Sequence, residues 1–277
     1  MDNVLNISKP ISQITYNYQF TICTLVTSKP EYEEMLQTFL AKGFDTQTCE
    51  YLYIDNCAQC TFDAYKGLNQ FLQQAKGKYI IICHQDIVLH NHSCFDLLNR
   101  INEIEDLDPQ WAILSNAGGI NLKHVAMHVT QKNGNRLLEK YLPLKAQTVD
   151  ENFILVKNEA NLSLSNNLYG FHMYGTDICL IADICGYNAY IIDFNLTHKS
   201  DGNADSSFYA LRKKIKLKYK YALRGRFMST TITRFYISGN CIGFWLCNTG
   251  IILFLVRQYY KVFKNKPQYI LKKRFNH

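Results

Sequence analysis

The stretch Gly77-Lys78-Tyr79-Ile80-Ile81-Ile82-Cys83-His84-Gln85-Asp86 decides how the chain is read. From Tyr79 to Cys83 it is apolar and rich in β-branched residues, the mark of a strand covered on both faces, as in a parallel sheet. Polarity changes abruptly at His84. A carboxylate directly after such a strand would be costly if buried unpaired, so Asp86 is expected at the strand's open carboxyl end. There its oxygens suit a hard divalent cation, and His84, two residues earlier in an extended chain, points to the same side. The plainer reading of the pair is a turn cap and a hydrogen-bonded loop histidine.

Working outward, the first half alternates strand and helix signals. Residues 20–26, 51–54, 79–83 and 111–114 read as strands. Between them lie helical stripes: Tyr32, Met35, Leu36, Phe39 and Leu40, stopped by Gly43; Phe62, Tyr65, Leu68, Phe71 and Leu72, closed by Gly77; and, after a Ser93 cap, Phe95, Leu98, Ile101 and Ile104. This alternation predicts a doubly wound α/β fold, whose ligands sit outside the carboxyl ends of the strands. Thr27, Asp55-Asn56, His84-Gln85-Asp86 and Asn116 follow the four strands and are expected on one rim. Residues 118–149 are weakly patterned and read as an irregular excursion over the site. Residues 153–156 form another strand. A glycine-punctuated aromatic loop, residues 169–175, leads into a helix over 177–185, and residues 190–192 form a last strand, followed by His198.

Composition narrows the function classes. Of the 277 residues, 47% are hydrophobic and 19% charged, which excludes a disordered polyelectrolyte. The net charge of +7 implies an anionic partner: a phosphate, an anionic membrane face or a nucleic acid. The start of the sequence lacks the basic and apolar regions of a signal peptide, and most of the ten Cys lie in apolar runs. These features predict reduced thiols and a cytoplasmic protein. Cys57-x-x-Cys60 reads as a loop pair, with a redox role as the alternative.

The order and spacing of Phe20-Thr21-Ile22, Tyr53-Ile54-Asp55-Asn56, Asn69 and the stretch from Gly77 to Asp86 resemble the nucleotide-sugar half of family 2 glycosyltransferases. Residues 170–180, beginning Gly170-Phe171-His172-Met173-Tyr174-Gly175-Thr176-Asp177, with Gly186-Tyr187 and His198, resemble their acceptor half. The resemblance implies a Rossmann-like A-type glycosyltransferase fold with a mostly parallel central sheet. It also implies a nucleotide-sugar donor (a UDP-sugar favoured) and metal-assisted, inverting transfer to a glycan or lipid-linked acceptor. It places Thr27 and Asp55 near base and ribose, and Asn56, Asn69, His84 and Gln85 around the donor. Asp86 and His198 would hold the metal, Lys199 would clamp the diphosphate, and Asp177 would be the general base. Asn116, Asp150 and His172 are weaker candidates for acceptor contacts, each equally readable as a turn or cap residue. Two positions depart from the family pattern. His84 replaces the first acid of the acid-x-acid motif, which favours Mn²⁺ over Mg²⁺, and Thr176-Asp177 keeps one carboxylate of an acidic pair. The thinned motifs leave an alternative: a nucleotide-sugar-binding module with weak or no turnover. A nucleotidyltransferase would want a glycine-rich basic loop after the first strand, and Thr27-Ser28-Lys29-Pro30 is not one.

Three segments are expected: an N-terminal extension over 1–18, a catalytic domain over 19–200 that divides into 19–116 and 117–200, and a basic, apolar helical extension over 201–277. The boundary falls near Asp201-Gly202-Asn203. A dense basic run from Arg212 to Arg226 precedes residues 235–256, which carry no charge. No nucleic-acid-binding module is recognisable, so the basic run points to a membrane surface. Asn240, Asn248 and three glycines interrupt the apolar run, and both its flanks are basic. Two short helices entering one leaflet satisfy that pattern; a buried core or dimer contact and a true span are the alternatives.

Overall fold

A computed structural model describes residues 7–131, 134–139, 141–200, 202 and 204–263. The chain forms two compact units, residues 1–213 and 214–277. The first unit runs β1 (Tyr18–Val26), α1 (Lys29–Ala41), β2 (Cys49–Asp55), α2 (Ala64–Gln74), β3 (Gly77–Cys83), β4 (Ile87–Val88), α3 (Cys94–Leu107) and β5 (Trp111–Ser115). It continues through β6 (Ala117–Gly119), β7 (Val125–Gln131), β8 (Gly134–Leu138), β9 (Leu144–Ala146), β10 (Thr148–Val149), β11 (Phe153–Lys157), α4 (Tyr174–Ile184), β12 (Asn188–Ile191) and β13 (Leu196–His198). Helix α5 (Ser206–Ala222) runs across the division between the units.

The central sheet has the order β2-β1-β3-β11-β5-β12-β9. The pairings make β1, β2, β3, β5 and β12 co-directional, with β11 and β9 reversed, so the sheet is mostly parallel. Ile22, Ile81, Leu155 and Leu114 form one continuous cross-strand row within the core, each at most 1% exposed. Continuous apolar runs can be buried on both faces in this way because helices cover the sheet. The architecture is the A-type glycosyltransferase fold expected from the sequence.

Local signals set most boundaries. Ser93 caps α3 in a full capping box with Asp96. The buried stripe of α3 is Leu97, Ile101 and Ile104, whereas Phe95 is 70% exposed, so the expected stripe was set two positions out at its start. Helix α2 begins after its Asp63 cap and ends at Gln74; Gly77 does not close it but opens β3. A Cβ at Gly77 would lie 2.4 Å from the Thr21 backbone nitrogen, so close approach of β1 requires glycine there.

The excursion expected over 118–149 is instead structured. It supplies strands β6 to β10, most of which form a second sheet of order β10-β6-β7-β13-β4 with β8 beside β7. These strands are short, and their burial does not alternate, from β6 without an exposed position to β8 exposed throughout, so they leave no period-2 signal. The expected last strand is also not last: β13 follows it and contains His198. Of the boundary tripeptide, residues 201 and 203 lie outside the described residues, as do Lys264 and Lys266 of the basic flank.

The second unit holds a hairpin, β14 (Arg226–Ser229) and β15 (Arg234–Ile237), followed by α6 (Cys241–Cys247) and α7 (Gly250–Phe263). The two helices meet at a bend of 74°, and no single described helix is long and apolar enough to cross a membrane.

Candidate functional site

Two pieces of backbone geometry assemble the site. The carboxyl ends of β1, β2 and β3 share one edge of the central sheet, bringing Thr27, Asp55 and His84 to it. The chain then enters β4, which pairs antiparallel with β13 so that His198 lies opposite Ile87. That pairing, between residues far apart in sequence, sets His198 beside Asp86.

Three ligand atoms converge there. His84 Nδ1 lies 3.2 Å from His198 Nε2, His198 Nε2 lies 3.4 Å from Asp86 Oδ1, and His84 Nδ1 lies 4.0 Å from the same oxygen. The point equidistant from the corners of this triangle is about 2.1 Å from each, the length of a bond from a divalent ion to nitrogen or oxygen. The residues therefore fit a metal. A two-imidazole, one-carboxylate donor set suits Mn²⁺ and the later first-row ions better than Mg²⁺.

A hydrogen-bond chain fixes which nitrogen of His84 faces this cluster. The Glu151 carbonyl can only accept, so the Tyr174 hydroxyl donates to it at 3.1 Å. The Tyr174 oxygen then accepts from His84 Nε2–H at 3.0 Å, leaving the Nδ1 lone pair toward Asp86 and His198. Desolvation and the neighbouring His198 both lower the His84 pKa, favouring the neutral ring that ligation needs. For Asp86, desolvation opposes the charge. Hydrogen bonds from His198 and Ser200 and the two imidazoles outweigh it and hold the carboxyl well below the usual carboxylate range. Asp86 Oδ2 accepts from the Ser200 N–H at 3.2 Å, and Ser200 Oγ lies 3.2 Å from His198 Nε2.

A cavity of about 260 Å³ opens beside the cluster, lined by Thr27, His84, Gln85, Asp86, Phe171 and Tyr174 among others. A larger hollow of about 610 Å³ near Lys145 and Asp183 contains none of these residues.

Several other expected residues are occupied elsewhere. Gln85 Oε1 accepts from the Thr27 and Ser28 N–H groups, and its amide nitrogen donates to Thr27 Oγ1 and Glu31, so it ties the end of β3 to the β1–α1 turn. Asn56 spends its amide on Thr61 and Phe62, folding the loop after β2. Asn69 exchanges two hydrogen bonds with the Leu164 backbone. Asn56 and Asn69 thus hold loops rather than face a donor. The Lys199 ammonium is paired with Glu34 on α1. Asp55 is exposed; the Cys57 N–H and the Lys29 ammonium, 2.9 Å away, lower its pKa to about 2.

Among the residues expected at the acceptor, Asp177 differs most from expectation. It lies in the first turn of α4, which begins at Tyr174, and is 0% exposed. Its two oxygens accept from the Ser165 N–H at 2.8 Å and the Ser165 hydroxyl at 2.7 Å. As placed, it offers no open face to an acceptor hydroxyl. Asp150 is exposed and shapes an Asx turn with Asn152. Asn116 is fully buried with both amide atoms unpartnered among the described residues. His172 lies 3.7 Å from Asp205 and packs edge-on against Phe208.

Tyr174, Ser200 and Glu151 were not singled out from the sequence. The Asp150-Glu151 doublet and the aromatic loop were the signals available. Desolvation, with the charge of Asp150, pushes Glu151 up to about 8, although its carboxylate faces N–H groups at the start of α4. Glycine is required at 175 for another reason: a Cβ there would lie 2.3 Å from the Val149 carbonyl oxygen.

Comparison with known proteins agrees with the fold. No family model matches the sequence. The structure of S. aureus TarS residues 1–349 in complex with UDP-GlcNAc matches with a TM-score of 0.51 at 12% identity. The match covers 73% of this chain and 66% of that one, just under two thirds of its length. The same TarS segment without that ligand matches with a TM-score of 0.47 at 11% identity, over 73% and 65% of the two chains. In sequence, the Fuscovulum blasticum protein described as ATP synthase subunits region ORF 6 is 32% identical over 226 residues, which span 79% of this chain and 91% of that protein. That description names a genomic region and no activity. At this identity and coverage, the chain belongs to the family of the Fuscovulum blasticum ATP synthase subunits region ORF 6 protein.

Proposed function

We propose that the chain is a glycosyltransferase of the family 2 type, with residues 19–200 as its catalytic domain, moving a sugar from a UDP-sugar to a hydroxyl of a glycan or lipid-linked acceptor. The observation that carries the reading is the His84, Asp86 and His198 triangle at the carboxyl edge of a mostly parallel sheet, where nucleotide ligands bind in open α/β folds. The S. aureus structure of like fold holds UDP-GlcNAc, which suggests the donor class.

In this reading the nucleoside lies over Thr27 and Asp55, and Asp55 stays ionised to accept from the base or ribose. The diphosphate lies at the cavity mouth beside Asp86 and Ser200. A divalent ion held by His84, Asp86 and His198, Mn²⁺ in preference to Mg²⁺, would supply positive charge against the leaving diphosphate. The acceptor oxygen forms a bond to the anomeric carbon as the bond to the phosphate oxygen breaks, and that electron pair leaves with UDP. The acceptor proton passes to a carboxylate. Asp150 is exposed and close enough to His84 to influence its charge, so we assign it the role of base; Asp177 holds the Ser165 loop.

One observation favours a second reading: Asp177 and Lys199 are both already paired, which suits a module that binds a nucleotide sugar without turnover. Donor hydrolysis and transfer across UDP-, GDP- and dTDP-sugars, each with Mn²⁺ and Mg²⁺, separates the two. Metal-dependent turnover of a UDP-sugar supports the transferase. Binding without turnover supports the module, and no nucleotide binding at all overturns both.

A further inference from the structure

The charges of the two units are opposite in sign. Residues 1–213 carry 16 Lys and Arg against all 23 Asp and Glu, whereas residues 214–277 carry 14 Lys and Arg against none. Next to that unbroken positive charge lie the two most apolar helices of the second unit, and neither contains a buried residue. Ile242, Phe244, Trp245, Ile251, Phe254 and Leu255 are each more than half exposed.

The bend between the helices is built rather than loose. Asn240 caps α6 through the Gly243 N–H. Asn248 sits at the break: its oxygen accepts from the Tyr236 N–H, and its amide nitrogen donates to the Tyr236 and Phe244 carbonyls, at 2.8 to 3.0 Å. The helices are thereby tied to the hairpin. At about 1.5 Å per residue, α6 and α7 extend about 10 and 21 Å, each short of the roughly 30 Å hydrocarbon core. Between hairpin and α7 runs a groove of about 310 Å³. Its floor includes Phe227, Met228, Leu253 and Val256, and Arg234 and Arg257 stand in its lining. An apolar floor with two guanidinium groups matches an acyl chain and its phosphate.

We propose that the second unit is a monotopic membrane anchor. Helices α6 and α7 enter one leaflet of an anionic bilayer, and Arg234 and Arg257 take lipid phosphates at the groove. Opposite charge draws the unit to the surface, and burial of the apolar faces holds it there. This stands independently of the sugar chemistry.

Trp245 provides the test, because the chain has one other tryptophan, Trp111, which is fully buried and serves as an internal constant. The full chain is mixed with phosphatidylcholine vesicles and with vesicles of roughly one-third phosphatidylglycerol, with brominated lipids as quenchers. Trp245 emission should shift to the blue and be quenched on the anionic vesicles, and high salt added beforehand should reduce binding. Ile251→Asp with Phe254→Asp changes exposed positions, so the fold should survive, and the bound fraction should fall at least about tenfold. Arg234→Glu with Arg257→Glu should abolish the preference for anionic lipid. Absence of any shift or quenching overturns the proposal. So does binding of RNA, or self-association by light scattering, without vesicle binding. Equal binding to both vesicle types overturns the phosphate role of the two arginines.

Discussion

Two carboxylates at similar places in the first unit meet different surroundings. Asp86 follows the apolar strand β3, and Asp177 lies in the first turn of the apolar helix α4. Asp86 remains partly open, and its Oδ1 shares a triangle with two imidazole nitrogens. Asp177 is sealed, and both its oxygens are taken by Ser165. Chain position determines where a carboxylate arrives; the groups that reach it from elsewhere determine whether it is free to work. For Asp86 that group comes from β13 and adds a ligand. For Asp177 it comes from a loop twelve residues upstream and removes both lone-pair faces.

Replacing each carboxylate should therefore have opposite signatures. Asp86→Ala should abolish Mn²⁺-dependent UDP binding, a loss of at least about 100-fold by calorimetry, with little change in melting temperature. Asp177→Asn should instead lower the melting temperature by several degrees, since it breaks a buried charge-assisted pair of hydrogen bonds. Asp150→Asn should reduce transfer by about 100-fold with donor affinity intact. If Asp177→Asn removes transfer while the fold melts as before, the base is Asp177 and the contrast collapses.

A smaller effect sharpens the metal side. Tyr174→Phe removes the acceptor that fixes the His84 tautomer and should weaken Mn²⁺ binding by roughly 10- to 100-fold. An unchanged affinity would show that His84 needs no such orientation.

The smallest effect concerns Glu151. Its pKa is about 8 in the folded protein, above the ordinary carboxylate value near 4.5, so folding favours the protonated form. The unfolded chain binds fewer protons between those values, and this residue's contribution to stability falls as pH rises through that window. Glu151→Gln should accordingly raise the melting temperature relative to the parent at pH 8 by a few degrees and do little at pH 4.5. A stabilisation that is equal at both pH values would place Glu151 in an ordinary environment.

How much was legible follows the same physical division. The strands at 79–83 and 111–114 could be read because they are covered on both faces, which leaves short runs without polar residues. Strands β6 to β10 could not, because pieces of two to seven residues with half-exposed faces carry too little pattern. Motif order led to the expectation that Asp86 and His198 lie together, and the fold brings them to 3.4 Å. The occupied state of Gln85, Asn69 and Lys199 was not visible, since each is satisfied by partners that only the folded chain brings near; Asn56 bonds within its own loop, to Thr61 and Phe62. The break in the apolar C-terminal run was legible in part for a local reason: Asn240 caps α6 through the Gly243 N–H and Asn248 donates to the Phe244 carbonyl, whereas the Asn248 bonds to Tyr236 reach back to the hairpin.

In the proposed reading His84, Asp86 and His198 hold one divalent ion. Pulsed electron paramagnetic resonance of the protein loaded with Mn²⁺ tests it most directly, because imidazole nitrogens bound to the ion modulate the echo. ¹⁴N modulation from two histidines is expected, with one contribution lost in His84→Ala and the other in His198→Ala. Mn²⁺ that binds with no ¹⁴N modulation, or with modulation that both substitutions leave unchanged, would contradict it.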